Sequence, residues 1–177
     1  MSIEKQIEWM ALDFPDWKVE RIGSDTAVWT GTLQPNQTTY RIRMEHSVPM
    51  VLEMRSLIHL QPLVEIIGPA LEERDGNPEG ALPHVYWRHP RTKRDGPFLC
   101  LFDPDAREWT LSDALSMTTV PWTAFWLDYY EAWLATGVWL GKGRHAGGGI
   151  AHDIKAKKRR PGITRLLTGA AIIRHDF

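Results

Sequence analysis

The sequence predicts an α+β domain, with an N-terminal helix, an antiparallel meander of about four strands and helices toward the C-terminus. Three observations carry this reading. Apolar residues recur at helical spacing in the first fourteen positions, alternate at strand spacing between Ala27 and Met44, and return to three- and four-residue steps from Pro121 to Thr136. The 177 residues are enough for one ordinary domain to bury a core without disulfide or metal staples. Hydrophobic residues at 43% and charged residues at 24% exclude a disordered or fibrous bulk.

Ile3, Ile7, Met10, Ala11 and Phe14 form the apolar face of the opening helix, with Glu4, Lys5 and Glu8 between them and Pro15 as its stop. Ala27 to Leu33 reads as a strand, Gln34 to Gln37 as a turn, and Thr39 to Met44 as the returning strand with Tyr40, Ile42 and Met44 on one face. Met50 to Met54 extends the meander after the break at Pro49, and Leu63 to Ile67 is a further short strand. Glu72 to Pro83, which holds Asp75-Gly76-Asn77-Pro78, is exposed loop.

His84 to Trp87 follows as a short apolar run. His89 to Pro97 is a polar, basic, proline-bearing loop that leads into the apolar island Phe98 to Phe102, with Cys100 at its centre. Trp109, with Thr110 or Ser112 as a cap, precedes a first helical turn. The clearest helix runs from Pro121 to Thr136, placing Trp122, Phe125, Trp126, Tyr129, Tyr130 and Trp133 at helical steps before a Gly137 stop. Glycines at 141, 143 and 147 to 149 then give way to a basic block at Lys155, Lys157, Lys158, Arg159 and Arg160, and Ile163 to Ile173 is apolar enough to dock as a last helix. The expected division is a folded domain over residues 1–140 and a glycine-rich, basic extension over 141–177.

A net charge of −1 gives no reason to expect nucleic acid or an anionic membrane as partner. The basic block lacks the interleaved aromatics of a single-strand binder and reads as a solvated tail or a source of acceptor lysines. No stretch approaches the ~18 apolar residues of a membrane span. The first twelve residues lack the apolar core of a secretory signal, so a cytoplasmic location is expected. His145, His152 and Asp153 have neither cysteine partners nor compact spacing, and no metal site is expected. Nine tryptophans imply a well-filled core, a large binding face, or both. The single cysteine cannot form an internal disulfide. Its apolar neighbours taken alone describe a buried strand residue.

The order of local pieces changes that reading. An N-terminal helix and a meander are followed by His89-Pro90, Asp95-Gly96, Leu99-Cys100-Leu101, and Trp109 nine residues after the cysteine. This order resembles the ubiquitin-conjugating enzymes, which read roughly His-Pro-Asn, several loop residues, Gly, one or two residues, Ile-Cys-Leu and then a Trp. The likeness covers about residues 1–140. Pro121-Trp122-Thr123, Trp133 to Gly137, and Trp139 look closer still to bacterial members of that superfamily, found beside cGAS-like nucleotidyltransferases in cyclic-oligonucleotide antiphage defence (CBASS).

The resemblance implies a UBC-like fold and a catalytic Cys100 that holds the C-terminal acyl group of a protein as a thioester. That protein would be a cGAS-like nucleotidyltransferase, and the acceptor an amine or another nucleophile. No cofactor is implied. With no Gly-x-Gly-x-x-Gly loop in view, bound ATP is not expected, and activation of the acyl group falls to another protein. The chain departs from the family at its asparagine, where Arg91 stands. Oxyanion stabilisation is therefore open, with His84, His89 and backbone N–H groups as candidates.

Thioester exchange needs a thiolate, and an ordinary thiol of pKa near ~8.5 is mostly protonated at neutral pH. Arg88, Arg91, Lys93 and Arg94 favour ionisation if their loop folds across Cys100, whereas Asp103 and Asp105 oppose it. Asp103 is also the candidate to orient the acceptor amine. Two rivals stand beside this reading: a non-catalytic protein of the same fold that binds through exposed tryptophans, and a cysteine hydrolase with His84 or His89 as base.

Overall fold

The computed structural model describes residues 1–48, 60–76, 80–88, 94–103 and 106–141. Among the described residues eight elements follow in order: α1 (Ile3–Asp13), β1 (Lys18–Ile22), β2 (Thr26–Leu33), β3 (Tyr40–Ser47), β4 (Leu63–Gly68), β5 (Val85–Arg88), β6 (Asp95–Leu99) and α2 (Thr119–Thr136). β1 to β4 make an antiparallel meander in sequence order, and β5 with β6 makes a separate two-stranded ribbon. The α+β class, the opening helix, the four-stranded antiparallel sheet and the C-terminal helix all agree with expectation. The proposed strand at Met50 to Met54 and the last helix at Ile163 to Ile173 lie outside the described residues.

Helix α1 starts because the Ser2 hydroxyl accepts the Lys5 amide at 3.3 Å, with Glu4 in the first turn where the helix dipole favours negative charge. It stops at Phe14, whose amide still reaches the Met10 carbonyl, because Pro15 disfavours helical backbone before it. Its buried face differs from the one expected. Ile3, Gln6 and Met10 are buried and Ala11 is exposed. Gln6 is tolerated there because its Nε2 donates to the Asp113 carbonyl (2.8 Å) and its Oε1 accepts from the Leu115 amide (2.9 Å). Both ends of the amide are satisfied inside the protein, as a buried polar side chain requires.

β1 was not foreseen as a strand. All five of its residues are exposed, so burial never imposes an apolar rhythm on it; it is the sheet edge, paired with β2 through Val19↔Trp29 and Arg21↔Ala27. β3 keeps the period of two seen in the sequence, with Tyr40, Ile42, Met44 and His46 buried and the residues between them more exposed. That inner face packs on α2: the Tyr40 ring meets Tyr130 edge-on at 6.3 Å, and Val120, Trp126, Leu127, Tyr130 and Trp133 share one core with the sheet.

α2 begins at Thr119, two residues ahead of its proline, and ends as expected at Gly137. There a left-handed backbone (φ 73°) lets the amide close on the Trp133 carbonyl at 2.7 Å. Arg74 completes the end, donating to the carbonyls of Trp133 and Leu134 at 2.9 and 3.0 Å. The cap expected after Trp109 forms around a single turn only. Thr110 donates its amide to the Asp113 carboxylate and accepts the Ser112 amide on its hydroxyl, but consecutive turns run from there to Thr118 before a helix forms. The tryptophans divide accordingly: Trp29, Trp109, Trp126 and Trp133 are core, whereas Trp9 and Trp87 are exposed.

Candidate active site

The β5–β6 ribbon builds the surroundings of Cys100. Val85 pairs with Leu99 and Tyr86 with Phe98, and one step later the register slips so that Arg88 faces Asp95. The slip needs Gly96. A Cβ there would sit 2.4 Å from the Tyr86 carbonyl oxygen, so any side chain would force the two strands apart. The glycine shortly before the cysteine thus has a mechanical reason in this chain.

Just past the end of β6, the Cys100 amide donates to the His84 carbonyl at 2.9 Å. The Trp126 indole donates to that same oxygen at 3.2 Å, fastening the ribbon to α2. His84 adopts a left-handed φ of 50°, and its imidazole stacks on Trp139 with ring centroids 5.4 Å apart. Trp139 in turn rests against Trp126 and Tyr129. The chain that leaves α2 at Gly137 therefore returns to the thiol's neighbourhood.

Cys100 itself is 7% exposed. Its Sγ lies 3.2 Å from the Tyr86 hydroxyl and 3.9 Å from the Phe102 carbonyl oxygen. Burial, the nearby Cys100 sulfur and the Asp103 charge hold the Tyr86 hydroxyl far above the usual phenol range, while a hydrogen bond from the buried Gln61 side chain opposes them. The tyrosine consequently keeps its proton throughout the range in which a thiol ionises.

The expected site residues fall into three groups. His84 meets Cys100 through its backbone carbonyl while its imidazole is stacked on Trp139, and Asp103 acts through its charge at Tyr86. The Asp103 backbone is held by Glu108, whose carboxylate accepts its amide at 2.8 Å. His89, Arg91, Lys93 and Asp105 lie outside the described residues. Arg94 points elsewhere. It meets Glu45 on β3 (3.2 Å) and Glu65 on β4, within a network that includes Arg43, and its guanidinium covers the Phe98 ring at 5.2 Å. Of the four cations that would favour ionisation if their loop folded across Cys100, Arg94 is thus paired with two carboxylates on the sheet.

Tyr86 and Gln61 were missed. Tyr86 sits in a run that looks merely apolar, and the signal available was its place in a strand that pairs with the strand leading to the cysteine. Diagonal neighbours on such a ribbon are within reach of an aromatic side chain. Gln61 carries no local signal at all.

Among the described residues no group of His, Cys, Asp or Glu is arranged to hold a metal ion, and no helix is long and apolar enough to cross a membrane. The family model described as Type II CBASS E2 protein matches residues 6–146, well over half of the chain and the whole of the ribbon and its thiol. No curated protein matches the chain.

Proposed function

The chain belongs to the type II CBASS E2 family, and from that membership we propose that Cys100 is an acyl carrier in antiphage defence. Its thiolate takes the C-terminal acyl group of a protein, a cGAS-like nucleotidyltransferase, and passes it to an amine. The observation that carries this reading is the place of the chain's only cysteine: inside the matched span, just beyond the ribbon, with its backbone fixed to His84.

In the first step the sulfur–carbon bond forms while the leaving group of an activated acyl donor departs with its electron pair. In the second the amine nitrogen attacks the carbonyl carbon, the carbon–sulfur bond breaks, and the amine gives up a proton to a base. Asp103, whose charge is felt at the adjoining tyrosine, is the carboxylate to orient that amine and receive its proton. Activation of the acyl group belongs to a separate enzyme.

Co-expression of wild type, Cys100→Ser and Cys100→Ala with the nucleotidyltransferase tests this. Wild type is expected to give a reductant-sensitive adduct and the serine variant a reductant-resistant ester. The acyl-carrier reading fails if no variant forms an adduct and Cys100→Ala still protects against phage. The burial of Cys100 favours a second, non-catalytic reading in which this family member only binds a partner. Under that reading a small alkylating reagent leaves the native thiol unmodified while labelling it fully after denaturation.

A further inference from the structure

We propose that Tyr86 is a catalytic residue that donates its hydroxyl proton to the Cys100 sulfur as a hydrogen bond, with Gln61 as the positioning residue that aims it. The inference rests on the acyl-carrier reading and names the group that steadies the charge on sulfur. Tyr86 lies opposite Phe98 on the ribbon, and Cys100 stands two residues further on, joined to His84. This diagonal places the phenol oxygen 3.2 Å from Sγ.

When the thiol is neutral it donates to the phenol oxygen; once the thiol has ionised, the phenol donates to the thiolate. Gln61, 7% exposed, donates to the same phenol oxygen. Once the thiol has ionised, the phenol proton is therefore free to turn to the sulfur. The order Gln61 N–H to Tyr86 O–H to Cys100 S⁻ is a chain of donors ending on the one atom that gains negative charge.

The sulfur carries that charge twice. It is the thiolate before it attacks the acyl carbon, and it leaves again as thiolate when the amine nitrogen forms its bond to that carbon and the carbon–sulfur bond breaks. A hydrogen bond to an ionised acceptor is roughly twice as strong as a neutral one, so the same donor favours both moments. Tyr86 gains and loses no proton in the cycle. It touches the reacting sulfur rather than the carbonyl oxygen, so its role is separate from oxyanion stabilisation.

Other ionisable groups near the thiol are His84, whose ring is stacked on Trp139, and Asp103 on the segment that follows it. Arg94 is engaged with Glu45 and Glu65.

The test uses the full chain with Tyr86→Phe, which keeps the ring, and Gln61→Met, which keeps the volume. The rate of alkylation by iodoacetamide is followed against pH, and thermal melting checks that each variant folds. Tyr86→Phe is expected to move the alkylation profile to higher pH and slow the reaction at neutral pH by about tenfold, as the loss of one hydrogen bond to a charged group implies. Gln61→Met moves it the same way by less. Adduct formation with the nucleotidyltransferase slows in the same order.

An unchanged profile in folded Tyr86→Phe overturns the assignment and leaves the adduct test of Cys100 standing. A profile that shifts where no variant builds an adduct and Cys100→Ala still protects against phage overturns the acyl-carrier reading and with it the use of this bond in transfer.

Discussion

Arg94, one residue before β6, reaches the Glu45 carboxylate on β3 at 3.2 Å. It also pairs with Glu65 beside it, so the segment leading to the thiol is tied to the outer part of the main sheet. Burial alone would raise the Glu45 carboxyl, but the hydrogen bond and charge of Arg43, together with Arg94, outweigh it and hold the group below its ordinary value of 4.5. A carboxylate lowered on folding adds stability that is present above its unfolded pKa and lost as pH falls through its folded one. The melting temperature should therefore drop on acidification below about pH 4.5, and Arg94→Gln should flatten that dependence while lowering stability at pH 7. Thermal melts of both proteins from pH 3 to 7 check this, and parallel curves would sink it.

Trp126→Phe removes the indole N–H given to the His84 carbonyl together with part of a buried ring system. The expected cost is about 2–4 kcal/mol, one buried hydrogen bond plus the cavity left behind. The ribbon, freed from α2, should also expose Cys100 more often, so alkylation of the native protein should speed up. Chemical denaturation and thiol labelling measure the two effects on one variant.

Gln6→Met removes both hydrogen bonds to the 113–115 turn and leaves a half-buried carbonyl and a buried amide without their side-chain partner. A loss of about 2–3 kcal/mol follows from those two groups, read as a lower urea midpoint at unchanged slope. A loss under half that would mean that water replaces the side chain.

Gly96→Ala forces a methyl group to within 2.4 Å of the Tyr86 carbonyl unless the strands part. Overpacking of this kind costs about 1–3 kcal/mol. Because Tyr86 is the strand partner displaced, adduct formation should fall further than the loss of folded protein explains. Activity normalised to the folded fraction separates the two contributions.

Much of this architecture was legible because burial writes a period into the sequence. β3 alternates cleanly, and α2 has its tryptophans at helical steps and its glycine stop. β1 was invisible for the converse reason: an exposed edge strand has no face to protect, and Val19 and Ile22 among charges look like loop. The candidate site was legible as far as its thiol, because a single cysteine within an ordered set of family landmarks stands out. Its neighbours were not. Tyr86 is brought to Cys100 by the pairing register, and Gln61 by the fold of the chain onto it. The pairing of Arg94 was not legible, because a positive charge near a thiol in sequence says nothing of the two carboxylates waiting on another element.

The double use of the His84 carbonyl sets an order of assembly during synthesis. The ribbon brings together Tyr86 and Cys100 across only 14 residues and can close on the microsecond timescale of a hairpin. Its anchor, Trp126, lies 42 residues from His84, and Trp139 follows later still. A nascent chain arrested before those tryptophans clear the ribosome would have β4 to set against the ribbon but would lack the side of the thiol's surroundings that α2 and Trp139 supply. The thiol is thus fully sheltered only once the remainder of the domain has emerged.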